Sequence, residues 1–283
     1  MIWSILYRGP LSGCNYSCTY CPFAKKKDSK KVLEMDSQQL HKFVNWVSIQ
    51  SDKTINILFT PWGEGLIRKH YQDAIIQLSQ MPNVGKVSIQ TNLSCKLKWL
   101  ESSNKEKVAL WTTYHPTQTT LTQFLNKCQQ LDILKIKYSV GVVGFREALP
   151  EIEMMRQKLS KSTYLWINAL KKNPDYYSTD DIRRMSVVDP HIHYNLQNHE
   201  SKGFYCRAGH TTFSVNGDGD VSRCHFIKEI IGNIYDVDFE QRLFPKLCIN
   251  DTCGCHIGYV HLEKLNIEKD FGDGILERIA TNF

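Results

Sequence analysis

Short apolar runs alternate with longer amphipathic stretches along the first two-thirds of this chain. The apolar runs predict β-strands, and the amphipathic stretches between them predict α-helices. We predict strands at residues 2–7, 55–60, 86–90, 108–113, 136–143 and 164–167. We predict helices at residues 37–49, 71–80, 95–102, 121–131, 146–159 and 178–185, the first capped by Asp36 with Gln39. Six β–α units in sequence favour an α/β fold with a parallel sheet.

Polar residues and glycines follow the predicted strands, at the ends where parallel α/β folds carry their chemistry. The first strand leads into a loop with three cysteines, the second into residues 61–65 and the third into Asn92. The fourth leads into His115, the fifth into residues 141–147 and the sixth ends at Asn168. Because these ends meet at one edge of a parallel sheet, we expect the residues to surround one site.

The composition is that of a globular protein and favours neither a membrane nor nucleic acid as a partner. The chain has 283 residues, 42% of them hydrophobic and 23% charged, which is ordinary for a globular protein. No apolar run approaches the roughly 18 residues that span a bilayer, and the N-terminus lacks signal-peptide character, so we expect a cytoplasmic protein with no membrane partner. The formal charge of +6 is too small to favour nucleic acid as a partner.

The cysteines indicate metal ligation. Eight of the ten lie in two tight groups, which favours metal sites in a reducing compartment over disulfides. Cys95 and Cys128 fall on predicted helices, where we expect them to be buried apolar residues. Lysines at positions 25–27, 30 and 31 flank the first group, and we interpret them as solvated surface.

The first group is Cys14, Cys18 and Cys21, in a C-x3-C-x2-C run after the first strand. Three thiolates leave one iron of a four-iron cluster without a protein ligand, whereas electron carriers use four cysteines at other spacings. The run, with Tyr20 before its last cysteine, resembles the signature of the radical S-adenosylmethionine (AdoMet) superfamily. The alternative is a zinc site, but zinc favours four closed ligands and paired C-x2-C knuckles.

The resemblance implies a fold and a chemistry. The fold it implies is a partial (β/α)6 TIM-like barrel. It implies that the three cysteines hold a [4Fe–4S] cluster whose open iron binds the amino and carboxylate groups of AdoMet. An electron from the cluster would cleave AdoMet to a 5′-deoxyadenosyl radical, which abstracts hydrogen from a substrate. It also implies an electron-donating partner such as a flavodoxin or ferredoxin.

Further cofactor contacts follow from the same resemblance. Gly63 and Glu64 match the family motif that holds the methionine amino group, while Trp62 and Gly65 depart from it. Val142 and Gly144 lie in the segment that matches the family's adenine-contacting pattern, although its first glycine is replaced by Val140, with Gly141 one place on. Asn92, His115 and Asn168 are candidates for the ribose or the substrate. The alternative to a cofactor contact is an ordinary turn at residues 62–65 and, for His115, a structural role at the end of its strand.

The second group is Cys206, Cys224, Cys248, Cys253 and Cys255. The spacing from Cys206 through Gly219 to Cys224 resembles the opening of the SPASM or twitch extension of radical SAM enzymes. Strands at 211–215 and 220–223, joined by a tight turn, would form a β-hairpin in this small cysteine-rich extension. We therefore predict a radical SAM domain at residues 1–195 and an auxiliary-cluster domain at residues 196–283.

We predict that the extension holds an auxiliary [4Fe–4S] cluster. Its ligands would be Cys206, Cys224 and two of the last three cysteines, and the sequence leaves open which two. The alternatives are three ligands with an open iron for substrate, or a structural zinc ribbon.

Three functions remain open. The first is radical modification of a peptide or protein side chain, as many SPASM and twitch enzymes perform. The second is oxidation, epimerisation or rearrangement of a small sugar, cyclitol or nucleotide-like molecule. The third is a non-catalytic iron–sulfur electron carrier, which the irregular motif at residues 62–65 keeps open.

Overall fold

Six parallel strands, each followed by a helical segment, form the centre of the molecule. The computed structural model describes residues 1–23, 26–171, 173 and 175–283. The strands are β1 (Ile2–Arg8), β2 (Thr54–Phe59), β3 (Val84–Thr91), β4 (Val108–Thr113), β5 (Lys137–Val143) and β6 (Leu165–Asn168), hydrogen-bonded in that order. All six predicted strands are confirmed to within two residues at each end.

Four α-helices and two 3₁₀ segments connect the six strands in the described chain, and a fifth α-helix follows β6. The helices are α1 (Lys30–Ser48), α2 (Lys69–Gln80), α3 (Leu121–Leu134), α4 (Leu149–Lys158) and α5 (Thr179–Val188); the 3₁₀ helix Lys98–Ser102 follows β3, and the second 3₁₀ helix, Arg146–Ala148, directly precedes α4. The predicted cap of α1 is wrong: the helix begins seven residues earlier, where the Ser29 hydroxyl accepts a hydrogen bond from Val32 N at 3.3 Å. Asp36 lies inside the helix and does not cap it. Its carboxylate instead accepts a hydrogen bond from Leu11 N, in the loop before Cys14. Cys95 lies outside the shortened third helix but is buried, as is Cys128 in α3.

Alternate residues of each strand face two different apolar layers. Ile5, Ile57 and Ile167 pack in the layer beneath the helices, whereas Leu58 and Trp166 pack on the opposite face of the sheet. Because successive strand side chains point to opposite faces, a parallel sheet covered on both sides has nearly continuous apolar strands. This explains why the runs in the sequence are mostly apolar without alternation, with β3 as the exception, since its residues 86, 88 and 90 are polar.

The C-terminal third completes the sheet and covers its second face. Its strands are β7 (His199–Glu200), β8 (Tyr205–Cys206), β9 (Thr212–Asn216), β10 (Asp220–Ser222), β11 (Ile230–Asn233), β12 (Lys246–Leu247) and β13 (Thr252–Cys253); its helices are α6 (His256–Tyr259) and α7 (Glu268–Phe271). The predicted β9–β10 hairpin is confirmed, and β9 also pairs in parallel with β1. The described residues thus form a nine-stranded sheet in the order β11-β10-β9-β1-β2-β3-β4-β5-β6.

The C-terminal segment packs on the face of the sheet opposite helices α1 to α5. Tyr259, Leu262 and Phe271 of the C-terminal segment pack against Leu58 and Trp166 of the sheet. The structure is therefore a mixed α/β fold with a large, mostly parallel sheet, as predicted. Within the described ranges, no helix has the length and apolar character needed to cross a membrane.

The basic run around the start of α1 lies on the surface where the structure describes it. Lys26, Lys27, Lys30 and Lys31 are exposed, which agrees with the solvated interpretation. Lys25, the first residue of that run, lies outside the described residues.

Candidate active site

A cavity of about 470 Å³ opens at the carboxyl ends of the parallel strands. This volume is in the range of small-molecule sites. It is lined by most of the residues that the sequence analysis singled out: Cys14, Cys18, Tyr20, Cys21, Gly63, Glu64, Asn92, His115, Val142, Asn168 and Cys255. Residues more than 150 positions apart in sequence therefore meet around one space.

The loop before Cys14 is fixed by two aspartates. The Asp28 carboxylate accepts hydrogen bonds from Gly13 N at 2.6 Å and from the Ser12 hydroxyl at 2.8 Å. Asp36 of α1 accepts from Leu11 N at 3.3 Å and lies 2.8 Å from His70 Nε2. Charge-assisted bonds of this kind are the stronger ones, so they hold the backbone that enters the cysteine run.

Two of the three cysteine thiols, those of Cys14 and Cys18, have polar neighbours that can donate to a thiolate, whereas the Cys21 thiol donates to Phe23 O at 3.5 Å. Cys14 Sγ accepts from Tyr16 N at 3.3 Å and from Asn92 Nδ2 at 3.6 Å. Cys18 Sγ lies 3.5 Å from His115 Nδ1. Burial raises the pKa of the Cys14 thiol, and this penalty on the thiolate is one that a bound cation would offset. The donor set therefore fits an iron–sulfur cluster.

No three His, Cys, Asp or Glu side chains in the described part of the chain converge on a single metal-ion position. A four-iron cluster binds each cysteine to a different iron, so its ligands need not converge on one point.

Tyr20 and His115 form a pair beside the cysteine run. The Tyr20 hydroxyl lies 2.9 Å from His115 Nδ1, and the two rings stack with centroids 6.0 Å apart. Burial lowers the pKa of His115 to about 4, so the imidazole is neutral at neutral pH. His115 thus contacts the loop through both Tyr20 and Cys18 and orients it.

Glu64 ties the second strand end to the third. Its Oε1 accepts from Thr91 Oγ1 at 2.8 Å and from Leu66 N at 3.0 Å, and its Oε2 accepts from Asn92 N at 2.6 Å. Burial raises the pKa of Glu64 to about 6, so the carboxyl is mostly ionised at neutral pH. A carboxylate has about four lone-pair sites, and one on Oε2 remains open.

Gly63 packs against the backbone of the cysteine loop. A Cβ at this position would lie 2.0 Å from Gly13 O, and the neighbouring Glu64 N donates to the same oxygen at 3.1 Å. Trp62, which departs from the family motif, lies under the Arg8 guanidinium at 3.9 Å and contacts Phe23, with ring centroids 4.6 Å apart. The tryptophan thus has its own packing role at the cavity.

The fifth-strand segment divides into cavity-lining and packing residues. Val142 lines the cavity, but Gly144 does not. Gly144 N donates to Asn168 O at 2.9 Å, and a Cβ there would lie 2.9 Å from the Tyr177 hydroxyl. Gly141 leaves room for the Trp166 indole, since a Cβ would lie 1.9 Å from that ring. The glycines therefore serve backbone packing between β5 and β6.

Four cysteines of the second group lie together. Cys206, Cys224, Cys248 and Cys253 belong to or pack against one apolar cluster. Burial raises the pKa of Cys253 to about 12, with the nearby thiols of Cys224, Cys255, Cys206 and Cys248 as further causes. Arg223 donates to Leu247 O at 2.8 Å and to Ala208 O at 3.2 Å, which holds the segments around these cysteines in place.

Cys255 differs from those four cysteines in its exposure and in the cavity that it lines. It is exposed and lines the principal cavity, which Cys206, Cys224, Cys248 and Cys253 do not. The C-x-C spacing gave no sign of this difference, because residues two apart in extended backbone point to the same side and only Cys253 of the pair lies in a strand.

Some cavity residues were missed by sequence reasoning. These are chiefly Trp111, Trp166, His256 and Arg278. The two tryptophans sit at mid-strand positions that read only as apolar core. His256 and Arg278 come from the C-terminal segment, and nothing in their local sequence marks them. Burial, with the Arg278 charge, lowers the pKa of His256 well below its usual range.

Solved structures of known proteins have a fold similar to that of this chain. Native anSMEcpe with bound AdoMet is 16% identical over 84% of this chain and 79% of that chain, with a TM-score of 0.55. Native anSMEcpe with bound AdoMet and Kp18Cys peptide is 16% identical over the same shares, with a TM-score of 0.56. This chain has the anSMEcpe fold. The resemblance to radical SAM proteins is thereby confirmed at the level of the fold. No protein-family model matches the chain, and no curated protein matches it.

Proposed function

We propose that this chain is a radical SAM enzyme whose Cys14, Cys18 and Cys21 hold a [4Fe–4S] cluster. The observation that carries the proposal is that these three cysteines line one cavity together with Glu64 and Asn92. The fold likeness to a protein with bound AdoMet supports it. We assign the six β–α units to the partial (β/α)6 TIM-like barrel of such enzymes.

The chain's own residues have separable roles in this proposal. When bound, the cluster and AdoMet supply one-electron chemistry that ends in hydrogen abstraction from a substrate. The Asn92 amide and Tyr16 N donate to the Cys14 sulfur, and such outer hydrogen bonds tune metal-bound thiolates. The open lone pair on Glu64 Oε2 suits the ammonium of AdoMet. Val142 offers an apolar surface to adenine, while Asn168 lines the cavity at the end of β6.

We further propose an auxiliary [4Fe–4S] cluster on Cys206, Cys224, Cys248 and Cys253. Their shared surroundings support this ligand set, and the position of Cys255 in the principal cavity argues against its inclusion. Residues 196–283 would then act as the auxiliary-cluster domain. A flavodoxin or ferredoxin would supply electrons, and the exposed lysines at 26, 27, 30 and 31 offer such an acidic protein a docking surface.

For the substrate, we propose a peptide or protein side chain. The support is the likeness to anSMEcpe, of which a structure contains a bound peptide. A small molecule is the second candidate, because the cavity volume of about 470 Å³ suits one. In either case the walls formed by Trp111 and Trp166 would exclude water from the reacting atoms.

The test is AdoMet cleavage by anaerobically reconstituted protein. With dithionite and AdoMet, we expect 5′-deoxyadenosine to be released, and the triple variant Cys14→Ala, Cys18→Ala, Cys21→Ala should release none. Cys128→Ala, which removes a buried thiol outside both groups, serves as the matched control and should retain activity. Release that persists in the triple variant would overturn the proposal. Mass spectrometry of peptides and small molecules incubated with the enzyme then separates the two substrate classes.

A further inference from the structure

Arg278 is a buried cation on the wall of the principal cavity. Its side chain lines the cavity, although the residue is only 5% exposed. The guanidinium lies 4.0 Å from the ring centre of Trp166 in β6 and 5.7 Å from that of Trp111 in β4. It therefore sits on the β4–β6 side of the cavity, whereas the cysteine run and Glu64 lie near the ends of β1 and β2.

No carboxylate in the described part of the chain forms a direct ion pair with this guanidinium, although the buried Asp189 carboxylate interacts with it at longer range. Its Nε is buried and has no hydrogen-bond partner. The adjacent Glu277 pairs with Lys86 instead, and Glu64, the carboxylate on the cavity wall, already accepts three bonds from its neighbours. A buried charge without a partner is strongly unfavourable, so the site is complete only when an anion binds there.

The contact with tryptophan does not satisfy the hydrogen-bonding capacity of the Arg278 guanidinium. Cation–π contact uses the face of the guanidinium and therefore does not engage its N–H donors, which lie in the plane. Arg278 also has a positive φ of 55°, where glycine is the less strained choice. An arginine at such a position indicates that the side chain itself is needed.

The surroundings hold Arg278 in place. Ser139 of β5 donates through its hydroxyl to Glu277 O at 2.8 Å and accepts from Trp166 Nε1 at 3.2 Å. Gly141 provides the space for the Trp166 ring on which the guanidinium lies. The wall is thus a preorganised site whose free N–H donors match the geometry of a carboxylate or phosphate.

We propose that Arg278 binds an oxyanion of the substrate, either a carboxylate or a phosphate. The inference rests on the proposed function and adds the substrate class: an acidic peptide side chain or C-terminus, or a phosphorylated or carboxylated small molecule. The anion would be held on the β4–β6 wall, which leaves the β1–β3 side of the cavity for AdoMet. Arg278 is therefore a specificity-determining residue.

The test is anion binding by the purified full chain. Tryptophan fluorescence is followed while inorganic phosphate, or separately glutarate, replaces chloride at constant ionic strength. We expect a saturable change, because the anion would bind beside Trp166. The affinity should fall about tenfold or more in Arg278→Gln and less in Arg278→Lys. The matched control Arg183→Gln changes an exposed arginine paired with Asp180 and should bind as wild type does.

The two probes distinguish the source of the anion, since tighter phosphate binding indicates a phosphorylated substrate and tighter glutarate binding a carboxylate. No saturable change in the wild type, or equal affinity in Arg278→Gln, would overturn the proposal. If Arg278→Gln does not fold, phenylglyoxal modification of the wild type replaces it: phosphate or glutarate should slow modification of Arg278 but not of Arg183. Equal protection of both arginines, or of neither, would contradict the assignment.

A second experiment tests whether the anion site belongs to the substrate or to AdoMet. Modification of Arg278 is followed in reconstituted protein with AdoMet alone and with AdoMet plus the anion. Additional protection by the anion supports a substrate site, whereas full protection by AdoMet alone assigns the arginine to the AdoMet carboxylate and overturns the proposal. Failure of the proposed function appears separately, as absence of 5′-deoxyadenosine release by a protein that still binds the anion.

Discussion

Gly63→Ala tests how the second-strand segment positions the cysteine loop. The added Cβ would lie 2.0 Å from Gly13 O, 2.5 Å from Gly13 C and 2.9 Å from Gly13 N. An ordinary contact begins near 3.4 Å, so the two backbones must separate by about 1.4 Å (from 2.0 to 3.4 Å). Because all three atoms belong to the backbone, no side-chain rotation can relieve the overlap.

The cost has two parts. Overpacking of a close backbone contact costs about 1–3 kcal/mol. The separation also breaks the hydrogen bond from Glu64 N to Gly13 O, which contributes about 1 kcal/mol. We therefore expect the free energy of unfolding to fall by about 2–4 kcal/mol. Since Gly13 precedes Cys14, the first ligand moves as well, and a 1 Å misplacement can lower activity about 100-fold.

Urea unfolding followed by circular dichroism measures the stability, and 5′-deoxyadenosine release after reconstitution measures the activity. Gly65→Ala is the matched control, because its Cβ would meet only the flexible end of Ile89 at 3.0 Å and side chains at 3.4 Å. We expect it to cost less than about 1 kcal/mol. If Gly63→Ala is as stable and active as Gly65→Ala, the close approach of the two loops does not exist in solution.

Three further predictions concern other parts of the site. Cys253→Ala should lower the iron content of reconstituted protein from about eight to about four per chain, while Cys255→Ala should retain about eight; equal losses would refute the division between these cysteines. Burial raises the pKa of Glu64 from 4.5 to about 6, so its contribution to stability is greatest below pH 4.5 and is lost as pH rises through 6. Urea titrations should therefore show wild type losing about 2 kcal/mol relative to Glu64→Gln over that range, and a constant difference would contradict the burial argument. Gly141→Ala should displace the Trp166 indole, shift tryptophan fluorescence and destabilise the chain by about 1–3 kcal/mol, and an unchanged urea midpoint would show that the ring has room.

The sequence alone located the six parallel strands and singled out the first group of cysteines. Strands buried on both faces must be continuously apolar, so β1 to β6 could be located within two residues. Ligands that are close in sequence, as in the run from Cys14 to Cys21, are brought together by local backbone geometry. The helix start at Lys30 was missed because Asp36 has the chemistry of a cap, yet tertiary contacts with Leu11 and His70 bury it within the helix.

Only the tertiary structure decided how distant segments share the cavity. Cys253 and Cys255 are indistinguishable in sequence, yet their side chains lie in different surroundings because direction depends on backbone conformation. Arg278 carries no local signal, and it reaches the cavity only because the C-terminal segment covers the second face of the sheet. Such long-range contacts depend on the packing of whole elements, which local sequence patterns do not encode.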